Sequence, residues 1–160
     1  MLTIEVVAVG KMSQSWFAQG VEEYQKRLSA FARVVVTEIA EVRPASDSSA
    51  AHEEAMEKEG EAILKVLESD PRAARVALCI EGKSWSSTDL ASFLEKTKQE
   101  TSHVFFVIGG SDGLSNAVKR ACPHRISMSA MTFPHQMARM ILMEQLYRAE
   151  TIQNQMKYHK

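Results

Sequence analysis

The sequence predicts an α/β protein whose mostly parallel sheet carries helices on both faces. Short runs rich in β-branched residues alternate with longer stretches whose apolar residues recur at helical spacing. Such alternation is typical of parallel strands joined by crossover helices. The most apolar strand, residues 104–108, runs directly into the glycine-rich segment 109–113. Because ligands of open α/β sheets bind beyond the carboxyl ends of the strands, this segment marks the expected binding edge.

The first half of the chain predicts two strands and two helices. Strands are expected at residues 2–9 and 33–39, and helices at residues 16–31 and 52–68. The first helix is amphipathic, and its aromatic residues favour a place in the core. The small polar segment 44–51 predicts a flexible loop before the second helix. Asp70-Pro71 ends that helix, because a proline disfavours helical backbone at the residue before it.

The second half of the chain predicts three more strands and three more helices. Strands are expected at residues 75–80, 104–108 and 125–128, and helices after Ser86 or Ser87, near 115–121 and at 134–153. Either serine can cap its helix through the side-chain hydroxyl. The tripeptide Glu81-Gly82-Lys83 is expected to turn the chain where the strand at 75–80 ends. Pro134 is expected at the first helical position of the last helix, where its fixed φ is favourable.

The composition predicts a single soluble domain over residues 1–160. Hydrophobic residues make up 45% and charged residues 24%, which is ordinary for a globular protein. No apolar run approaches the ~20 residues that cross a membrane, and no signal-peptide pattern occurs. Cys79 and Cys122 belong to no metal or redox motif, so both are expected as small buried hydrophobes in a reducing cytoplasm. The sequence also contains neither the dinucleotide-binding motif G-x-G-x-x-G nor the phosphate-binding loop motif G-x-x-x-x-G-K-[ST].

Charge is distributed unevenly along the chain, although the formal net charge is only −1. Residues 41–70 contain nine acids and three bases, whereas residues 119–160 contain seven bases and two acids. Solvated faces are the ordinary explanation of such runs. The other interpretation is that the basic third of the chain contacts a polyanion. Since the total charge is near zero, any contact with nucleic acid has to be local.

The predicted last helix is apolar around its whole circumference. Residues such as Met137, Ile141 and Leu142 leave it without a wholly polar side. A helix of this kind has to be buried on all sides, which in a domain of this size predicts that a second subunit covers it. Glu144 and Arg148 have the spacing that lets them pair on one helix face.

Two loops provide the candidate binding groups. The glycine segment 109–113 either brings backbone amides close to a ligand or forms a tight turn without one. The uncharged segment 127–134, SMSAMTFP, can present amides and carbonyls to a purine edge, with its methionine and phenylalanine side chains packing on the purine faces.

Five segments spread over the chain carry a family resemblance. FVIGGSDGLS, MTFPHQMARMILMEQLYRA and YHK follow one another, after an opening LTIEVVAVGK and a later ALCIEGK. Together they resemble the RlmH family, small bacterial pseudouridine methyltransferases of the SPOUT class. The likeness covers essentially the whole chain. It implies a SPOUT-type trefoil knot in the C-terminal part of the fold, which spacing and composition do not indicate.

The resemblance implies S-adenosylmethionine as the methyl donor and no metal. Family members bind this cofactor with the end of the third strand, the glycine loop and the loop before the last helix. The matching positions in this chain are Leu78, Gly109, Met128, Ser129, Ala130, Met131, Thr132 and Phe133.

The resemblance also implies the substrate and the assembly. The substrate would be a pseudouridine in the 23S rRNA stem-loop that faces the decoding centre, methylated at N3 on the 70S ribosome by a cytoplasmic homodimer. Because N3 is protonated at neutral pH, some group has to take or share its proton. The candidates are Tyr158, His159 and the carboxylate that ends the chain, with Arg148 and Lys160 holding a phosphate or the anionic base. Segment 155–157 departs from the family, where glycine or proline is frequent, so the path of the tail stays open.

Three alternatives remain open at this level. Residues 158–160 could be a frayed tail without a role in the chemistry. A noncatalytic ribosome-associated module would share the basic end but would not need an amide-rich loop beside a glycine loop. A small-molecule methyltransferase of ordinary Rossmann topology would keep the cofactor and dispense with the ribosome.

Overall fold

Five strands and five helices alternate along the chain in the computed structural model, which describes all of residues 1–160. The strands are β1 Thr3–Val9, β2 Arg33–Ile39, β3 Ala74–Ser84, β4 His103–Ile108 and β5 His124–Ser127. The helices are α1 Ser15–Leu28, α2 Ser49–Glu68, α3 Ser87–Glu100, α4 Asn116–Ala121 and α5 His135–Gln153. Every strand pairing is parallel, in the order β2-β1-β4-β3-β5. The predicted fold class is confirmed, with β4 in the middle of the sheet.

The two faces of the sheet carry separate hydrophobic cores. Side chains alternate between the faces along each strand, so Val6 and Phe106 lie in one core and Val7 and Phe105 in the other. Residues of α1, α3 and α5 complete the first core, and residues of α2 and α4 complete the second. Helices on both faces are therefore the consequence of strands that are apolar on both sides.

Strand β3 is longer than the sequence predicts, and the expected turn at Glu81-Gly82-Lys83 is wrong. Leu78 pairs with Ile126 of β5, and pairing resumes at Lys83 after a register shift that leaves the intervening residues as a bulge. A Cβ at Gly82 would lie 2.6 Å from the Ile126 carbonyl carbon, so this approach of the two backbones requires glycine. The glycine marks close strand contact here and not a turn.

Two helices begin differently from the prediction. Helix α2 begins at Ser49, because the Ser48 hydroxyl accepts a hydrogen bond from the Ala51 amide at 3.1 Å and caps the first turn. Part of the predicted flexible loop is therefore helical. Pro134 is the N-cap of α5 and not its first helical residue, since its ψ of 139° is extended while its carbonyl accepts from the Ala138 amide.

Helix α5 is largely covered within its own subunit. No residue of the helix is exposed, and Leu142 and Leu146 belong to the first core beside residues of α1 and α3. The inference that a second subunit is needed to cover Leu142 is therefore wrong. One row of residues along the helix, Met137, Ile141 and Arg148, is only half-buried. This row can contact another molecule. None of the five helices combines the length and apolar character that a membrane crossing requires.

Lysine substitutions at two neighbouring positions of α5 should have opposite effects. Leu142→Lys places a charge in the core, where an unpaired ammonium costs several kcal/mol, so we expect an unfolded or insoluble chain. Ile141→Lys can extend its ammonium to water from the half-buried row and should fold. Circular dichroism and urea titration of both variants measure this difference. Equal destabilisation would mean that both side chains point into the same core.

Candidate functional site

A cavity of about 850 Å³ opens at the carboxyl ends of β3 and β4. Its walls come from the end of β3, the glycine segment after β4 and the loop before α5, with one residue of α2, two of α4 and two of α5. The volume lies within the roughly 300–1,000 Å³ that small-molecule sites occupy. The sheet edge expected to bind a ligand therefore carries a cavity of suitable size.

Seven of the eight positions predicted to hold a cofactor line this cavity. They are Leu78, Gly109, Met128, Ser129, Met131, Thr132 and Phe133. Ala130 is exposed and lies outside the lining. The lining also contains Met56, Asp112, Lys119 and His135, which come from four different segments. Asp112 belongs to the glycine segment that the sequence selects. The sequence does not indicate the other three, because only the packing of α2, α4 and α5 against the sheet brings them to the cavity.

The glycine segment folds back on itself in a tight turn. The Gly113 amide donates to the Gly110 carbonyl at 3.0 Å, and Gly113 has a positive φ of 82° that side chains disfavour. A Cβ on Gly109 would lie 2.6 Å from the Gly113 carbonyl carbon. Glycine at position 109 is therefore required for closure of the turn itself. The sequence left open whether this segment approaches a ligand or forms a tight turn, and the structure shows the turn.

An imidazole on α2 holds the tip of this turn. His52 Nδ1 lies 3.0 Å from both carboxylate oxygens of Asp112, and both side chains are part-exposed. Asp112 lines the cavity, whereas His52 lies outside the lining. The two residues are 60 positions apart, and no local pattern in the sequence indicates that they meet.

The loop before α5 uses its hydroxyl groups to order its own backbone. The Ser127 hydroxyl donates to the Ser129 carbonyl at 3.0 Å, and the Ser129 hydroxyl accepts from the Met131 amide at 3.0 Å. Met131 is 75% exposed, so its apolar side chain stands free at the cavity. The backbone amides and carbonyls of Met128, Ala130, Thr132 and Phe133 make no hydrogen bond within the chain, and their contact with a ligand stays a prediction.

The three residues predicted to be catalytic meet around one carboxylate. Arg148 donates to Glu144 Oε1 through Nη2 at 2.6 Å and through Nε at 2.9 Å. The Tyr158 hydroxyl donates to the same oxygen at 3.1 Å, and His159 Nδ1 lies 3.3 Å from Arg148 Nη1. None of the four lines the cavity of its own chain. We call Glu144, Arg148, Tyr158 and His159 the tail cluster.

The environment of the tail cluster keeps the Tyr158 phenol protonated, as a hydrogen-bond donor. Burial, followed by the negative charge of Glu144, raises the pKa of the Tyr158 phenol to about 12. The phenol therefore keeps its proton at neutral pH and gives its hydrogen bond to Glu144. Arg148 has only donors, so the contact with His159 requires an unprotonated Nδ1 and a neutral ring with its proton on Nε2.

The two cysteines differ in their surroundings. Cys122 is buried in the second core, where burial raises the pKa of its thiol to about 11, so the expected role as a small hydrophobe is confirmed. Cys79 is half-buried and lines the cavity, and burial also raises the pKa of its thiol. Nowhere in the structure do three or more histidine, cysteine or acidic residues form a group that could hold a metal ion.

Comparison with known proteins gives consistent family, sequence and fold matches. A family model described as a predicted SPOUT methyltransferase matches residues 2–159. A Desulfitobacterium hafniense protein named Ribosomal RNA large subunit methyltransferase H is 40% identical over 162 residues, which is 100% of both chains. A Bacillus pumilus protein of the same name is 42% identical over 99% of this chain and 100% of its own.

Solved structures resemble this fold at low sequence identity. A methylase family protein from Neisseria gonorrhoeae has a TM-score of 0.58 at 12% identity, over 98% of this chain and 86% of its own. A methyltransferase structure from Legionella pneumophila, with the bound cofactor SAM, has a TM-score of 0.51 at 13% identity, over 92% of this chain and 66% of its own. At these identities the likeness concerns the fold alone.

Alanine at position 109 should be enough to disturb the cavity. Its Cβ overlaps the Gly113 backbone, so the turn has to open and S-adenosylmethionine affinity should fall about tenfold to a hundredfold, the range that overpacking strain produces. Calorimetric titration of folded Gly109→Ala measures the change. Ser102→Ala, at an exposed position before the amino end of β4 and outside the cavity lining, is the control and should keep the wild-type affinity. Unchanged affinity in Gly109→Ala would mean that closure of the turn does not matter for binding.

Removal of the Glu144 charge should lower the pKa of Tyr158. Glu144→Gln eliminates the charge that disfavours the phenolate, while burial remains, so the pKa should fall from about 12 towards the ordinary value without reaching it. Ultraviolet titration of tyrosinate, with Tyr158→Phe subtracted to isolate the signal, measures the shift. Glu100→Gln, an exposed carboxylate on α3, serves as the control. A pKa that stays at the wild-type value would assign the whole shift to burial.

Proposed function

The chain belongs to the SPOUT methyltransferase family, and we propose that it transfers a methyl group from S-adenosylmethionine to large-subunit ribosomal RNA. The target that we propose is N3 of the pseudouridine in the 23S stem-loop facing the decoding centre, on assembled 70S ribosomes in the cytoplasm. Support comes from relatives named Ribosomal RNA large subunit methyltransferase H, which are 40% and 42% identical over their full lengths.

The observation that carries the proposal is the cavity at the carboxyl ends of β3 and β4. Its lining combines the backbone of the glycine turn and of the loop before α5 with apolar walls from Leu78, Met128 and Phe133. Backbone groups beside apolar surfaces suit a flat heterocycle with polar edges. These residues would hold the cofactor, which supplies an electrophilic sulfonium methyl group when bound. The protein contributes by positioning the acceptor nitrogen for in-line displacement.

The tail cluster would handle the N3 proton and the charge that it leaves behind. Since the raised pKa of Tyr158 keeps the phenol protonated, this residue orients its partners and does not act as the base. His159 takes the N3 proton in our proposal, which requires its Nδ1 to leave Arg148. Nη1 of Arg148 is then free to donate to the anionic base or a phosphate, while Nε and Nη2 stay on Glu144.

A homodimer would reconcile the cavity with the tail cluster. The cluster does not line the cavity of its own chain, yet the proposed chemistry needs both at one base. We therefore include in the proposal that the cluster of one subunit acts at the cavity of the other. The half-buried row containing Met137 and Ile141 on α5 is the surface that the second copy would cover.

Transfer of labelled methyl groups tests the proposed activity. The protein is incubated with labelled S-adenosylmethionine and with unmodified 70S ribosomes, with free 23S rRNA or with neither. The proposal predicts label in the ribosome sample only, located at N3 of one pseudouridine by mass spectrometry of nuclease fragments. Equal labelling of free RNA would exclude the dependence on assembled ribosomes, and label in small molecules alone would exclude RNA as the substrate.

Deletion of residues 158–160 should separate binding from chemistry. Folding and S-adenosylmethionine affinity should persist, because these residues lie outside both cores and the cavity. Methyl transfer should fall by about 10²–10⁴, the usual effect of losing an acid–base group. At an S-adenosylmethionine concentration too low to load Gly109→Ala, mixing this variant with the truncated chain should restore activity, because a mixed dimer has one intact cavity facing one intact tail cluster. An inactive mixture whose mixed dimers are verified would show that the two act within one chain.

A further inference from the structure

Three basic residues lie on α4 and on β5, the outermost strand on one side of the sheet. Lys119 and Arg120 lie in the last turn of α4, and Arg125 lies on β5, the strand at the end of the sheet order. We call these three residues the basic edge. Lys119 also lines the cavity, so the basic edge is continuous with its mouth.

The charges of the basic edge are poorly compensated inside the protein. Arg120 and Arg125 are exposed and take part in no ion pair or side-chain hydrogen bond. Glu81 pairs with Lys119, and this hydrogen bond lowers the pKa of the Glu81 carboxyl. The Arg75 guanidinium donates to the carbonyls of Leu67 and Ala121 and pairs with no carboxylate. Its positive charge therefore adds to that of the basic edge. The edge therefore keeps an excess of positive charge.

The neighbouring surface has the opposite sign. Helix α2 packs against α4 on the same face of the sheet, and it carries six glutamates and two lysines. A polyanion that approaches this face is repelled by α2 and attracted by the basic edge, so its path is restricted to the side of β5. Since the chain as a whole has a net charge of −1, only such a local arrangement can attract nucleic acid.

We propose that the basic edge binds the RNA phosphates that flank the nucleotide in the cavity. This inference rests on the proposed rRNA methyltransferase function and adds the surface on which the RNA lies. Unpaired guanidinium groups offer two parallel donors that match phosphate oxygens. A nucleotide whose base reaches the cavity carries its neighbouring phosphates outside the mouth, where Lys119 lies. Contacts of this kind fix orientation and register and leave base selection to the cavity.

Neutral substitutions on the two free arginines test this surface. The variant Arg120→Gln/Arg125→Gln keeps side-chain length and removes two charges. Its matched control is Arg33→Gln, because Arg33 is also exposed and outside any ion pair but lies on β2 at the opposite sheet edge. Affinity for unmodified 70S ribosomes is measured over a series of KCl concentrations. S-adenosylmethionine affinity, kcat and KM for ribosomes are measured beside it.

The double variant should bind ribosomes on the order of tenfold more weakly, and its salt slope should be smaller by about one unit per arginine. Its KM for ribosomes should rise, while its S-adenosylmethionine affinity and kcat stay at the wild-type level. Each single variant should show about half of the change in slope, and Arg33→Gln should show none.

A wild-type salt slope in the double variant would overturn the proposal. A variant that keeps ribosome binding but loses binding to phosphatidylglycerol vesicles would also overturn it, because the basic edge would then serve a membrane surface. If the wild-type protein binds ribosomes through this edge and transfers no methyl group, the proposed function fails and the phosphate-binding surface stands.

Discussion

The arrangement of the binding edge depends on one buried guanidinium. Arg139 of α5 is 2% exposed, and it donates to Glu38 Oε2 at 2.7 Å and to the Gly10 carbonyl at 3.0 Å. These acceptors lie at the carboxyl ends of β2 and β1, so the first turns of α5 are fixed at that side of the sheet. Loss of the Glu38 carboxylate would leave the buried guanidinium without its counter-charge, which is strongly destabilising. Arg139 Nε has no hydrogen-bond partner of its own.

This attachment determines where the loop before α5 runs. The loop leaves β5 at one end of the sheet, whereas α5 begins beside β1, so residues 128–134 have to cross the carboxyl ends of β3 and β4. The glycine turn after β4 lies under this crossing, held by His52 through Asp112. The cavity is the space between these segments. The end of β3, the glycine turn and the loop before α5 thus form one site. They are brought together by the strand order and by the ion pair between Arg139 and Glu38.

The charged and titratable groups of the protein lie in separate parts of the fold. The titratable groups that line the cavity are Cys79, Glu81, Asp112, Lys119 and His135, whereas those of the tail cluster lie elsewhere on the same chain. Within that cluster, the Glu144 carboxylate receives three hydrogen bonds from Arg148 and Tyr158, which makes it a structural acceptor and the phenol a donor. The basic edge and the acidic helix α2 then give opposite signs to adjoining surfaces of a nearly neutral protein.

The sequence by itself determined the alternation of elements, the two-sided burial of the sheet and the positions of the two cavity loops. Those features follow from periodicity and from glycine and proline, which act over a few residues. The family resemblance added the cofactor positions and the catalytic candidates, and the trefoil knot stays an implication of the family. The tertiary structure alone decided the bulge in β3, the burial of Leu142 within its own subunit and the partners of His52 and Tyr158. Each of these features depends on the strand order or on groups that are distant in the chain. Local residue patterns do not indicate contacts of this kind.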